Sequence, residues 1–142
     1  MLKIKLILLL IVVFSTPGLV VAQTEEQTPI IFDTDFVMPP ADDGMALMLA
    51  LQSPELRILG ITTVMGNESL ETATSDVLRM LEIANRTDIP VYQGADMPLL
   101  HGKSEFSVSH YGNWYSNEAP KMPPGGFAKI TAKSKSAVSF LD

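Results

Sequence analysis

Four carboxylates fall within eleven residues of one another, at Asp33, Asp35, Asp42 and Asp43. Packed at one edge of a fold they would repel each other, hold on to their protons and cost stability unless a cation neutralised them. That stretch has no His and no Cys, so every donor is an oxygen, which suits Ca²⁺ or Mg²⁺ rather than zinc. The ordinary alternative is that Asp42 and Asp43 sit in the first turn of a helix, favoured by its dipole, while Asp33 and Asp35 simply end a strand. Spacing alone leaves both open.

The flanking residues indicate which elements must carry these acids. Pro29-Ile30-Ile31-Phe32 is a continuous apolar run and predicts a strand buried on both faces, as in a parallel sheet. Phe36 to Ala41 contains Pro39-Pro40 and predicts a loop. Gly44 to Gln52, rich in Met, Ala and Leu, predicts a helix. Arg57 to Val64 predicts a second strand, followed by a turn at Met65 to Glu68. Ser69 then caps a helix from Leu70 to Asn85. In it Leu70, Ala73, Val77, Leu78, Leu81 and Ala84 form one apolar stripe, with polar residues opposite. Met45, Met48 and Met80 read as core filler. Ile89 to Gly94 predicts a short third strand, and Lys135 to Asp142 the start of another helix. Between Gly94 and Gly126 no periodicity survives.

Strand, helix, strand, helix, strand predicts an α/β fold, an open and mainly parallel Rossmann-like sheet with flanking helices. Ligands of such sheets bind outside the carboxyl ends of the strands, where the four acids would lie.

The chain has 142 residues, 46% hydrophobic and 18% charged, which fits one modest ordered domain. A net charge of −6 offers no basic footprint for nucleic acid. The absence of Cys excludes disulfides, thiolate metal sites and a cysteine nucleophile. Lys3 and Lys5, the apolar run Leu6 to Phe14, the break at Pro17-Gly18 and the small residues of Val20-Val21-Ala22 match a secretory signal peptide over 1–22. Its apolar run is shorter than the ~20 residues of a membrane span, so export without a lasting membrane anchor is expected. Residues 23–28 read as a linker, and 29–142 as the folded part.

Ile30-Ile31-Phe32-Asp33-Thr34-Asp35, Asp42-Asp43-Gly44, Leu59 to Asn67 and Thr87 to Ala95 with Pro98-Leu99, in that order, strongly resemble the inosine–uridine-preferring nucleoside hydrolases. The resemblance implies Ca²⁺-dependent hydrolysis of the N-glycosidic bond of ribonucleosides to ribose and free base. It also implies self-association, since the family commonly forms oligomers. By the same resemblance Asp35 would bind Ca²⁺ and take the proton of the attacking water, and Asp43 would be a second ligand. Asp42 and Asn67 would hold ribose hydroxyls, and Asp33 would orient the other acids. His110 lies roughly where the family carries a His near the nucleobase. Phe106, Tyr111, Trp114 and Tyr115 read first as loop packing and second as a stacking wall for the base.

The chain departs from the family pattern twice. Six residues, Phe36 to Ala41, separate the two acid pairs where the family has three. The family domain is also more than twice as long, so 29–142 corresponds to its N-terminal part. A piece of that kind would leave one side of its sheet uncovered and lack the later metal ligands. Two other functions compete. One is a non-catalytic nucleoside- or cation-binding protein. The other is a haloacid-dehalogenase-like phosphatase using Mg²⁺, with Asp33 as nucleophile and Asp35 as acid/base. It leaves the segment through Asn67 without a role.

Overall fold

A computed structural model describes residues 26–100 and 120–142, together with Glu105 and Ser109. The expected signal peptide, His110 and the four aromatic residues of its region lie outside the described residues.

Among the described residues three strands form the sheet in the order β1-β2-β3: β1 Thr28–Thr34, β2 Leu56–Thr63 and β3 Val91–Gln93. Both pairings are parallel. Two helices connect them, α1 Asp42–Gln52 and α2 Leu70–Ile83, and a short α3, Ala137–Leu141, follows later. The open parallel α/β sheet expected from the sequence is present.

β1 differs from expectation. Its burial alternates, with Ile31 40% exposed, because it is an edge strand with a thinly covered outer face. The inner face, through Ile30 and Phe32, packs on a cluster that includes Ile58, Ile61, Val77 and Leu81. Ile58 and Ile61 both reach this cluster although they are three apart, which strict alternation forbids. The register explains it: Ile30 pairs with Ile58 and Ile31 with Gly60, so Leu59 is an extra residue that reverses the facing of everything after it. On the outer face the Phe140 ring of α3 stacks on Tyr92 with centroids 4.1 Å apart, and a Cβ on Gly60 would meet that ring. Ile31 and Leu59 remain exposed beside it.

α2 begins where Ser69 Oγ accepts the Thr72 amide at 3.3 Å, the cap expected from the sequence. It ends at Asn85, whose φ of 54° turns the chain out of the helix while Arg86 N–H closes on Leu81 O. Leu70, Ala73, Val77, Leu78 and Leu81 are buried as the stripe requires, and Ala84 is exposed past the helix end. The opposite side is not simply solvated, since Thr72, Thr74 and Asp76 are buried too. Met80 is core, but Met45 and Met48 are 52% and 37% exposed. α1 buries only Gly44 and Leu47, so most of its apolar surface never meets the sheet.

Candidate functional site

Register brings the site residues together. Thr34 pairs with Thr63, and Thr63 with Gln93, so all three strands end level. The chain leaves this edge at Asp35, Val64 and Gly94, and α1 and α2 return to the sheet with their N-termini forward. Val64 N–H donates to Thr34 O at 3.0 Å and Met65 N–H to Ala95 O at 3.0 Å, which ties the three exits together.

Asn67 stands at the centre of the cluster. Its backbone N–H donates to Asp35 Oδ2 at 2.9 Å, and its side-chain Nδ2 donates to Asp43 Oδ2 at 3.1 Å. The other oxygen of Asp43 accepts the Thr34 hydroxyl at 3.0 Å. One residue thus bridges carboxylates on two different segments. Gly66 makes this possible, because a Cβ there would overlap the Asp35 carboxylate. Asp35 and Asp43 are half-buried, while Asn67 and Asp42 are exposed.

Not all four acids join. Asp33 accepts a hydrogen bond from Thr62 Oγ1 across the sheet. Strand alternation puts it on the side opposite Thr34, the residue that bonds Asp43. Asp42 sits beside Asp43 in the first turn of α1, where the helix dipole favours a carboxylate. No three Asp, Glu, His or Cys side chains among the described residues converge closely enough to hold an ion. The structure therefore gathers two carboxylates and an amide where the sequence pattern suggested four carboxylates.

Sequence reasoning missed two residues near the site. Thr34, the middle of Asp33-Thr34-Asp35, is 6% exposed and binds Asp43; its signal was its inward strand parity. Asp76 is 8% exposed on α2, and an acid among helix polar residues carries no sequence signal of burial. Burial and then the Glu68 carboxylate push its pKa up to about 6, opposed by the nearby Met38 backbone amide and by Lys121.

A model of the inosine-uridine preferring nucleoside hydrolases matches residues 30–141. Uridine nucleosidase 1 of Arabidopsis thaliana is 40% identical over 113 residues, which are 80% of this chain and 32% of that protein. A pyrimidine-specific ribonucleoside hydrolase of Escherichia coli is 50% identical over 72 residues, covering 51% and 22%. Among solved structures, a plant nucleoside hydrolase superposes with a TM-score of 0.55 at 33% identity, over 80% of this chain and 34% of its own. A purine-preferring ribonucleoside hydrolase from Gardnerella vaginalis gives 0.60 at 26% identity, over 80% and 35%. This chain therefore matches between 22% and 35% of the length of these relatives.

Proposed function

The chain belongs to the inosine-uridine preferring nucleoside hydrolase family, and on that premise we propose that Asp35, Asp43 and Asn67 form the ribose end of a site that cleaves the N-glycosidic bond of ribonucleosides. The observation that carries this is the pair of hydrogen bonds that Asn67 donates to Asp35 and Asp43, 32 and 24 residues earlier in the chain, at the carboxyl edge of the sheet. The phosphatase alternative gives Asn67 nothing to do.

Cleavage of such a bond builds positive charge on the ribose ring, as in other glycosyl transfers. Asp35 is the base that takes the proton of the attacking water, with one oxygen fixed by the Asn67 N–H so that the carboxylate cannot swing. Asp43 is fixed at both oxygens by Thr34 and Asn67. Asp42, exposed next to it, accepts a ribose hydroxyl. These acids also place negative charge near the developing cation. The donors are all oxygen, the chemistry of a hard cation's ligands, so Asp35 and Asp43 would supply two of the several oxygens that Ca²⁺ takes. When bound, the ion supplies positive charge that acidifies water and orients the sugar.

The test is calorimetric titration of Ca²⁺ into the chain with ribose release from inosine and uridine followed in parallel. Binding lost in Asp43→Ala, together with ribose production, supports the reading. No binding and no ribose removes it for this chain. We also read residues 1–22 as a cleaved export signal; N-terminal sequencing of the exported protein should begin at Gln23, and an intact Met1 would reject it.

A further inference from the structure

Asn67 reaches Asp35 through its backbone and Asp43 through its side chain, so the placement of its turn decides whether both contacts exist. Burial does not fix that turn, because no residue from Val64 to Ser69 is buried. Hydrogen bonds must do it. Gly66 N–H closes on Glu68 O at 3.1 Å, and upstream Met65 N–H donates to Ala95 O. Downstream the hold comes from a distant segment. Lys121 Nζ donates to both carboxylate oxygens of Glu68, at 2.9 and 2.7 Å. The Lys121 backbone N–H donates to Thr72 Oγ1 at 3.2 Å, and that oxygen also accepts the Ser69 hydroxyl at 3.0 Å.

Exposed Lys–Glu pairs usually contribute little, because two long side chains must give up their freedom. Here much of that freedom is already gone. The Lys121 side chain is 71% exposed, but its backbone is fixed by Thr72, and the Glu68 side chain is only 24% exposed. The residues that follow are tied along α2: Arg79 Nε donates to Pro124 O at 3.2 Å, and Lys129 N–H to Glu82 at 2.6 Å. Lys121 therefore stands on a fixed base, and it neutralises the carboxylate that directly follows Asn67 in the chain.

We propose that Lys121 is a positioning residue of the site: by holding Glu68 and Thr72 it fixes the turn that presents Asn67 to Asp35 and Asp43. This rests on the reading of that cluster as the ribose and metal site, and the experiment separates the two.

NMR on the full chain would follow the Asn67 backbone amide. Lys121→Met keeps the length and removes the charge, and should speed its hydrogen exchange about three- to fivefold, the size of a well-anchored exposed pair. Ile61, whose N–H donates to Pro90 O within the sheet, should exchange as before. Lys121→Arg keeps the cation and should restore protection to within about twofold. Salt at about 1 M screens the same pair, so it should loosen Asn67 in the unmodified chain. An Asn67 amide that Lys121→Met leaves unchanged overturns the proposal. If that variant does not fold, the salt response decides alone.

Tb³⁺ luminescence then reads the site, and the sign of the effect is decisive. By charge alone, removing a lysine tightens the binding of a cation, whereas a displaced Asn67 weakens it. Affinity lowered about threefold or more in Lys121→Met and recovered in Lys121→Arg supports positioning. Affinity unchanged or raised overturns it. An Asn67 loosened by Lys121→Met in a chain that binds no Tb³⁺ even unmodified upholds the hold on Asn67 and removes the metal reading instead.

Discussion

The layer between β2 and α2 and the cluster at the strand ends are built on opposite principles. Ile61, Val77 and Leu81 are fully buried members of the apolar cluster, so their contribution is area removed from water and packing. Asp35, Asp43 and Asn67 are exposed or half-buried and held by three directed hydrogen bonds, one of them from Thr34, which are individually worth about 1–2 kcal/mol. The first region holds the fold together and tolerates no cavity. The second adds little stability, but its chemistry depends on position to a fraction of an ångström. Damage to one should leave the other's readout nearly untouched.

The largest expected effect tests the cluster. If the proposed role of Asp35 holds, Asp35→Asn, which keeps the side-chain volume, should lower ribose release from uridine about a thousandfold, while thermal unfolding barely moves. A large loss of stability in that variant would break the contrast. Leu81→Ala is the mirror experiment. Chemical denaturation should show a loss of about 2–5 kcal/mol, and Ca²⁺ affinity of the folded fraction should be unchanged. Asn67→Ala cuts the bond to Asp43 but leaves the backbone bond to Asp35. Calorimetry should show Ca²⁺ affinity reduced about ten- to a hundredfold, with little change in melting temperature.

Asp76, a buried carboxylate on α2, sharpens the comparison through pH. Its pKa in the folded protein, about 6, lies above the unfolded value of about 3.9, so the folded state holds this proton more tightly. Its contribution to stability is therefore full below about pH 4, falls as pH rises through about 6, and is flat beyond. Denaturation curves across that window should show the decline, and Asp76→Asn should abolish it. The smallest effect belongs to the Arg86–Asp88 pair, whose side chains are 38% and 66% exposed. Its hydrogen bonds hold the Asp88 carboxyl below its ordinary range, so the pair's help is present at neutral pH and lost as acid titrates Asp88. Arg86→Ala should cost under about 1 kcal/mol by denaturation.

Much of this contrast was legible in the sequence. The stripe on α2 predicted the buried residues because a helix meets a sheet along one side, and the period of that side is written locally. Ser69 announced its cap in the same way. Asp35 and Asp43 stood out with Asp33 and Asp42 by type and spacing, whereas Asn67 was singled out only through the family resemblance. The exposure of Met45 and Met48 was not legible, since apolar character says that a side chain prefers burial but not that a partner is present. Nor was the burial of Asp76, which depends on what the tertiary fold packs over that side of α2.

By itself the sequence determined the order and type of the elements and the edge at which the acids must lie, because periodicity and turn chemistry act over a few residues. Tertiary structure decided which acids meet. The extra residue at Leu59 sets the parity of β2, the level strand ends set the depth of Asn67, and the turn at Gly66 lets the Asp35 carboxylate approach. These are relations between residues about thirty positions apart, fixed by register and packing of the whole sheet, and no local pattern encodes them.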